Sequence, residues 1–155
     1  MISVRIGSHR FQYRVGAVII DDDQLLLHRL AGDAFWAVPG GRVNAGEQAG
    51  EAVVRELREE LGVAIECGRL LCTGENFFDH GGQAHHEVGL YFEATLPAGS
   101  PILDKQVPHR GQEEGRILEF KWFPLTALAG IDLRPAALGR VLGARPLPPH
   151  FVQHG

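Results

Sequence analysis

Thirteen residues, EAVVRELREELGV at 51–63, carry four glutamates and two arginines among valines and leucines. At about 100° per residue, Val53, Val54, Leu57 and Leu61 share one helical face, and Glu51, Arg55 and Arg58 lie toward the opposite one. Glu56, Glu59 and Glu60 fall on a third arc, beside the apolar stripe, where the only other residues are Ala49 and Ala52. Three carboxylates at i, i+3 and i+4 repel one another, and the two arginines cannot neutralise all of them at the edge of a core. A solvated face with Glu51–Arg55 and Arg55–Glu59 ion pairs is one reading. A divalent cation is the other, since carboxylate oxygens suit Mg2+ or Mn2+, and Mg2+ takes one or two carboxylates plus water and substrate phosphate.

The elements that must hold these acids follow from the local pattern. Asn44 followed by Glu47 resembles a capping box, and Gly62 is a helix stop, giving about four turns. YRVGAVII (Tyr13–Ile20) and QLLLHRL (Gln24–Leu30) read as two strands joined by a tight turn at DDD. A loop follows, then a brief strand over Trp36–Val38, and PGG at 39–41 interrupts regular structure. Ala64–Thr73 and HHEVGLYFEATL (85–96) are further strands, with a loop at 79–83. Pro97–Gly115 is the longest irregular stretch, a length associated with functional loops. RILEFKWFPL (116–125) returns to strand, and Arg134–Gly143 forms a short helix before a Pro-rich tail. No repeat or linker divides the 155 residues, so one α/β domain over 1–155 is expected.

Composition narrows the classes. With 45% hydrophobic and 22% charged residues and a net charge of -4, the chain is of globular type and is not held to nucleic acid by bulk positive charge. Cys67 and Cys72 are too few for a disulfide scaffold and lack a second ligand pair for zinc. No membrane-length apolar run or signal-type leader is present, so a cytoplasmic location is expected.

From Gly41 to Val63 the chain reads G-RVNAG-E-QAGEAVV-REL-R-EE-L-GV, which matches the Nudix box G-x5-E-x7-R-E-U-x-E-E-x-G-U at every position. The sequence resembles the Nudix hydrolases. The box covers 23 of the 155 residues, and a looser likeness extends over LLLHRLAGDAFWAVPGG and EFKWFPLTAL. The resemblance implies a mixed β-sheet sandwiched between helices and a metal-dependent hydrolase that opens a diphosphate linkage in a nucleoside diphosphate joined to another group. It implies that Glu56 and Glu60 bind Mg2+ or Mn2+, that Glu59 is a direct or water-mediated ligand, and that the Gly40 carbonyl completes the set. Arg55 matches the arginine that orients the glutamates, and Glu47 the first box glutamate. A late acid assists in many members; Glu114 is favoured over Glu113, with Glu119 and Glu87 behind them. Arg29 stands where similar proteins bind phosphate, and Phe77 and Phe78 are candidates for stacking on a base. The partner is a small phosphorylated molecule, without membrane or bulk nucleic-acid binding, and a homodimer is left open. Subfamily markers do not choose a substrate: the proline of ADP-ribose pyrophosphatases is absent, Phe78 standing there. Two alternatives are a nucleotide-sensing module, which usually loses box glutamates, and an isopentenyl diphosphate isomerase, whose box departs from this pattern.

Overall fold

A computed structural model describes residues 1–144 and 146–155. Among the described residues ten strands occur: β1 (Ser3–Ile6), β2 (His9–Val18), β3 (Ile20–Asp21), β4 (Gln24–Leu30), β5 (Gly40–Arg42), β6 (Glu66–His80), β7 (Gln83–Thr95), β8 (His109–Glu113), β9 (Arg116–Pro124) and β10 (His150–His154). The helices are α1 (Ala49–Leu61) and α2 (Ala136–Gly143). The strands form a mixed sheet in the order β1-β2-β7-β6-β10, with β5 also on β2, and an antiparallel sheet β3-β4-β9-β8.

Alternation along β2 explains how one sheet serves two cores. Val15 and Ala17 enter a core with Val53 and Leu57 of α1 and with Leu118 and Phe120 of β9. Val18 enters a second core with Tyr91, Phe151 and the α2 residues Leu138 and Leu142. Successive side chains of a strand point to opposite faces, so the two helices cover opposite faces of the mixed sheet, the expected Nudix-type α/β sandwich. Val53 and Leu57 are fully buried, each contributing roughly 1.5–3 kcal/mol.

The expected strand over 13–20 divides at Ile19: β2 belongs to the mixed sheet and β3 to the antiparallel one. The DDD turn is as read, with Asp22 and Asp23 both in the left-handed region (φ 50° and 57°), as a two-residue hairpin requires. β2 also begins earlier, at His9, and is preceded by β1. Arg10, Gln12 and Arg14 alternate there with Phe11, Tyr13 and Val15, the period-2 pattern of a half-buried strand. Trp36–Val38 makes only isolated bridges, Ala37 to His28 and Trp36 to Leu133. β6 runs to His80, and the 79–83 loop shrinks to a two-residue turn at Gly81–Gly82, both at positive φ. Within 97–115, a 3-10 turn at Pro101–Leu103 and β8 replace continuous irregular chain. The tail holds β10, which pairs in parallel with β6.

At the front of α1, the Asn44–Glu47 pair forms a turn of its own. The Glu47 N–H donates to the Asn44 carbonyl, and the Asn44 N–H to Glu47 Oε1, both at 3.0 Å. The helix starts later, with Gln48 at the N-cap, while Gly62 caps its end at φ 68° and donates to the Arg58 carbonyl. Asn44 is therefore not the cap: its turn holds Glu47 against the side of the helix.

Candidate functional site

Arg55 organises the acidic edge of α1. Its Nε and Nη2 donate to the two carboxylate oxygens of Glu47 at 2.7 and 2.9 Å, and Nη2 donates to the Arg42 carbonyl at 2.9 Å. Its Nη1 donates to Glu56 Oε1 at 3.0 Å and to Glu59 Oε2 at 3.2 Å. The hydrogen bonds from Arg55 hold the Glu47 carboxyl below its ordinary pKa, and Glu47 in turn raises that of the guanidinium. The loop, β5 and helix are tied together through this one fork.

Glu60 is the opposite case. It is 3% exposed, and neither of its carboxylate oxygens has a hydrogen-bond partner. Desolvation first, then repulsion from Glu56 and Glu113, push its pKa well above the ordinary value, while the Arg14 charge and the Gly40 amide oppose the rise. That amide lies close enough to act on the carboxylate without completing a hydrogen bond of normal geometry. His28 Nδ1 lies 3.7 Å from Glu60 Oε1, too far to bond. Burial, helped by Arg14, drops the His28 pKa to about 3, so its ring is neutral and supplies no countercharge. Glu56 is also raised, by desolvation first, with Arg55 opposing.

Two glycines let backbone approach these acids. A Cβ on Gly41 would lie 2.3 Å from the Glu56 carboxyl carbon, and one on Gly111 would lie 2.2 Å from the Glu60 carbonyl oxygen. Gly111 thereby allows β8 to lie against the end of α1. Glu113, two residues along β8, is the late acid whose charge is felt at Glu60. Glu114 is exposed in the β8–β9 turn, at φ 49°. Pattern alone could not separate the neighbours, whereas the position of Gly111 on the strand does.

The other expected residues are distributed more widely. Glu59 is exposed over 59% of its side chain. Arg29 pairs with Glu119 at 2.9 Å and lies 4.3 Å from the centre of the Trp36 ring, so Glu119 is committed to Arg29. Glu87 is buried and lies 3.9 Å from Arg14 Nε. With its amide turned to satisfy both neighbours, Gln12 donates to Glu87 at 3.0 Å and accepts from Arg42 Nη2 at 3.1 Å. Phe77 and Phe78, being consecutive in a strand, point to opposite faces of the mixed sheet. Phe77 packs on His86 and His154, and Phe78 stacks on His85. Arg14 and His28 are the residues sequence reading missed. A lone arginine in a strand gives no motif, and His28 looks like any strand residue until its burial is known.

The donor set fits a hard cation. Glu60 offers two buried, unpartnered oxygens beside Glu56, and such groups in native structures are rare. Among the described residues no three His, Cys, Asp or Glu side chains already enclose a point; Arg55 holds one oxygen of Glu56 and one of Glu59.

Comparison with known proteins bears on the family and the fold. The NUDIX domain profile matches residues 10–142. An RNA pyrophosphohydrolase from Sodalis glossinidius (strain morsitans) is 40% identical over 73 residues, covering 46% of this chain and 42% of that protein. The chain thus spans less than half the length of this curated relative. The crystal structure of a MutT NUDIX hydrolase from Burkholderia pseudomallei is 31% identical with a TM-score of 0.58, covering 75% of this chain and 84% of that one. The MutT protein structure from Bacillus halodurans, at 21% identity and a TM-score of 0.64, covers 92% and 89% respectively and shares the fold.

Proposed function

The chain belongs to the NUDIX family, and from that premise we propose that it is a divalent-metal-dependent pyrophosphohydrolase acting on a nucleoside diphosphate joined to another group. The observation that carries the reading is Glu60, a carboxylate buried against Glu56 and Glu113 with both oxygens unpartnered. Glu56, Glu60 and the Gly40 carbonyl would hold Mg2+ or Mn2+, with Glu59 a direct or water-mediated ligand. When bound, such an ion neutralises phosphate charge and acidifies a coordinated water.

The remaining roles belong to the chain itself. Arg55, through its bonds to Glu47, Glu56 and Glu59, fixes where the acids stand. Glu59 is exposed and serves as a proton acceptor from water at its carboxylate. Of the late acids, the geometry favours Glu113 over Glu114 as the assisting group. Arg29 and Arg14 are cations available to substrate phosphates, and Phe78 is the stacking candidate on the face that Arg14 shares; Phe77 stands on the other. The substrate is a small phosphorylated molecule, and the cytoplasm is the location proposed. No helix among the described residues is long and apolar enough to cross a membrane.

A screen of nucleoside triphosphates, nucleotide sugars, dinucleoside polyphosphates and coenzyme A with Mg2+ or Mn2+ tests the reading. The wild type is expected to turn over at least one class, and Glu60→Gln to lose at least about 100-fold, more than the loss typical of a group outside the ligand set. Tight nucleotide binding without turnover would make the protein a sensor, and equal activity in the variant would remove Glu60 from the site.

A further inference from the structure

Of the four buried side-chain polar atoms left without a hydrogen bond among the described residues, three meet at one place: His28 Nδ1 and the two carboxylate oxygens of Glu60. The two side chains come from different elements, β4 and α1, and are 7% and 3% exposed. Nδ1 stands 3.7 Å from Glu60 Oε1. The imidazole is held there firmly. The backbone of His28 exchanges two hydrogen bonds with Ala37, at 2.8 and 2.9 Å, and its ring packs edge-on against Phe120 at 5.2 Å. Ala37 lies three residues before Gly40, so the strand that carries His28 runs beside the segment that presents the Gly40 carbonyl.

Packing does not call for an imidazole at this position. Alternate residues of a strand share a face, and Leu26, two residues earlier, enters the core with Val53 and Leu57. An aliphatic side chain would continue that face without a polar atom to satisfy. A hydrogen bond to Glu60 does not account for it either, because 3.7 Å is too long. A neutral imidazole carries a proton on one nitrogen and a lone pair on the other. With the proton on Nδ1 the donor falls short of the carboxylate; with the proton on Nε2 a lone pair faces carboxylate oxygens. A cation between them satisfies all three atoms at once. Two donors held by one ion at ~2.1 Å each stand roughly 3.0 Å apart at right angles and about 4.2 Å apart when opposed, and the observed separation lies within that span.

We infer, resting on the cation site proposed above, that His28 Nδ1 is a nitrogen donor to the ion that Glu60 holds, and that it turns the site toward a first-row transition ion such as Co2+ or Fe2+ in preference to Mg2+. Glu56, Glu60 and the Gly40 carbonyl alone are an oxygen set, which suits Mg2+ and Mn2+. A single imidazole changes the order. Mg2+ keeps oxygen and water around it, whereas affinity for nitrogen rises from Mn2+ through Fe2+ to Co2+.

Electron spin-echo envelope modulation of the Mn2+-loaded protein, without substrate, reads a bound nitrogen directly. The wild type is expected to show a directly coordinated 14N, which changes to 15N when the protein is made with 15N-labelled histidine and disappears in His28→Leu. Competition titration supplies the second readout: His28→Leu should weaken Co2+ at least about ten-fold and Mg2+ less than about two-fold. Thermal unfolding of the metal-free variant checks the fold, which the neighbouring aliphatic face is expected to accept. A nitrogen signal that survives His28→Leu comes from other histidines, such as the exposed His80 and the His85 ring 6.1 Å from it, and overturns the inference. Equal weakening of Co2+ and Mg2+ with no nitrogen signal overturns it too, leaving His28 a positioning residue for Glu60. The cation site is judged separately by Glu60→Gln: Mn2+ bound tightly by the wild type, weakly by Glu60→Gln and without nitrogen keeps the site and rejects His28 as a ligand. Equal Mn2+ affinity in wild type and Glu60→Gln rejects both.

Discussion

Arg55 and Glu60 lie five residues apart on α1 and meet opposite circumstances. Arg55 donates five hydrogen bonds, to Glu47, Glu56, Glu59 and the Arg42 carbonyl. Glu60, more deeply buried, has none. A satisfied network at the edge of a helix is what stability produces; a buried carboxylate left without partners costs stability and is kept for something that binds it. One helix thus carries a scaffold and, on the function proposed above, a cation site side by side, and the two are expected to respond to mutation with opposite signs.

The largest effect is expected from breaking the scaffold. Arg55→Ala leaves three carboxylates without their shared cation, so stability measured by urea unfolding should fall by about 2–4 kcal/mol. Gly111→Ala comes next, because its methyl group would meet the Glu60 carbonyl at 2.2 Å; a loss of about 1–3 kcal/mol is expected from the forced shift of β8. An unchanged midpoint would mean that β8 does not rest on the helix as described.

Glu60→Gln should move the other way, raising stability by about 1–3 kcal/mol at neutral pH in EDTA by removing an unsatisfied buried charge. The sign of the pH dependence follows from its raised pKa. As pH climbs above 4.5, the ordinary value, the unfolded carboxyl releases its proton before the folded one. Wild-type stability should therefore fall until the folded group ionises, and the variant should lack this component. Glu47, whose pKa is lowered, contributes in the reverse sense, its stabilisation disappearing as acid protonates it. The smallest effect separates two neighbours: Glu113→Gln is expected to lower turnover about ten-fold and Glu114→Gln less than about two-fold, with the reverse order placing the assisting acid in the turn.

Much of this arrangement was legible in the sequence because it depends on local spacing. The apolar period of α1, the Gly62 stop and the register of the box glutamates are all contained within one helix. What escaped depended on partners distant in the chain. The capping-box pattern at Asn44 and Glu47 exists, but Arg55 claims the Glu47 carboxylate and the helix begins five residues after Asn44. β1 and β10 were missed because β1 and the start of β2 bury little, and because His150–His154 is a strand only by pairing with β6. Phe77 and Phe78 looked equivalent until alternation assigned them to opposite faces. Glu113 could be told from Glu114 only once Gly111 was seen against the end of α1.

The central claim is that Glu60 is held ready for a divalent cation, and Mn2+ titration followed by water-proton relaxation reads this directly without any substrate. The wild type is predicted to bind Mn2+, with Glu60→Gln weakening binding at least about ten-fold and Glu51→Gln, on the exposed side of the helix, leaving it unchanged. Equal affinity in wild type and Glu60→Gln would contradict the account.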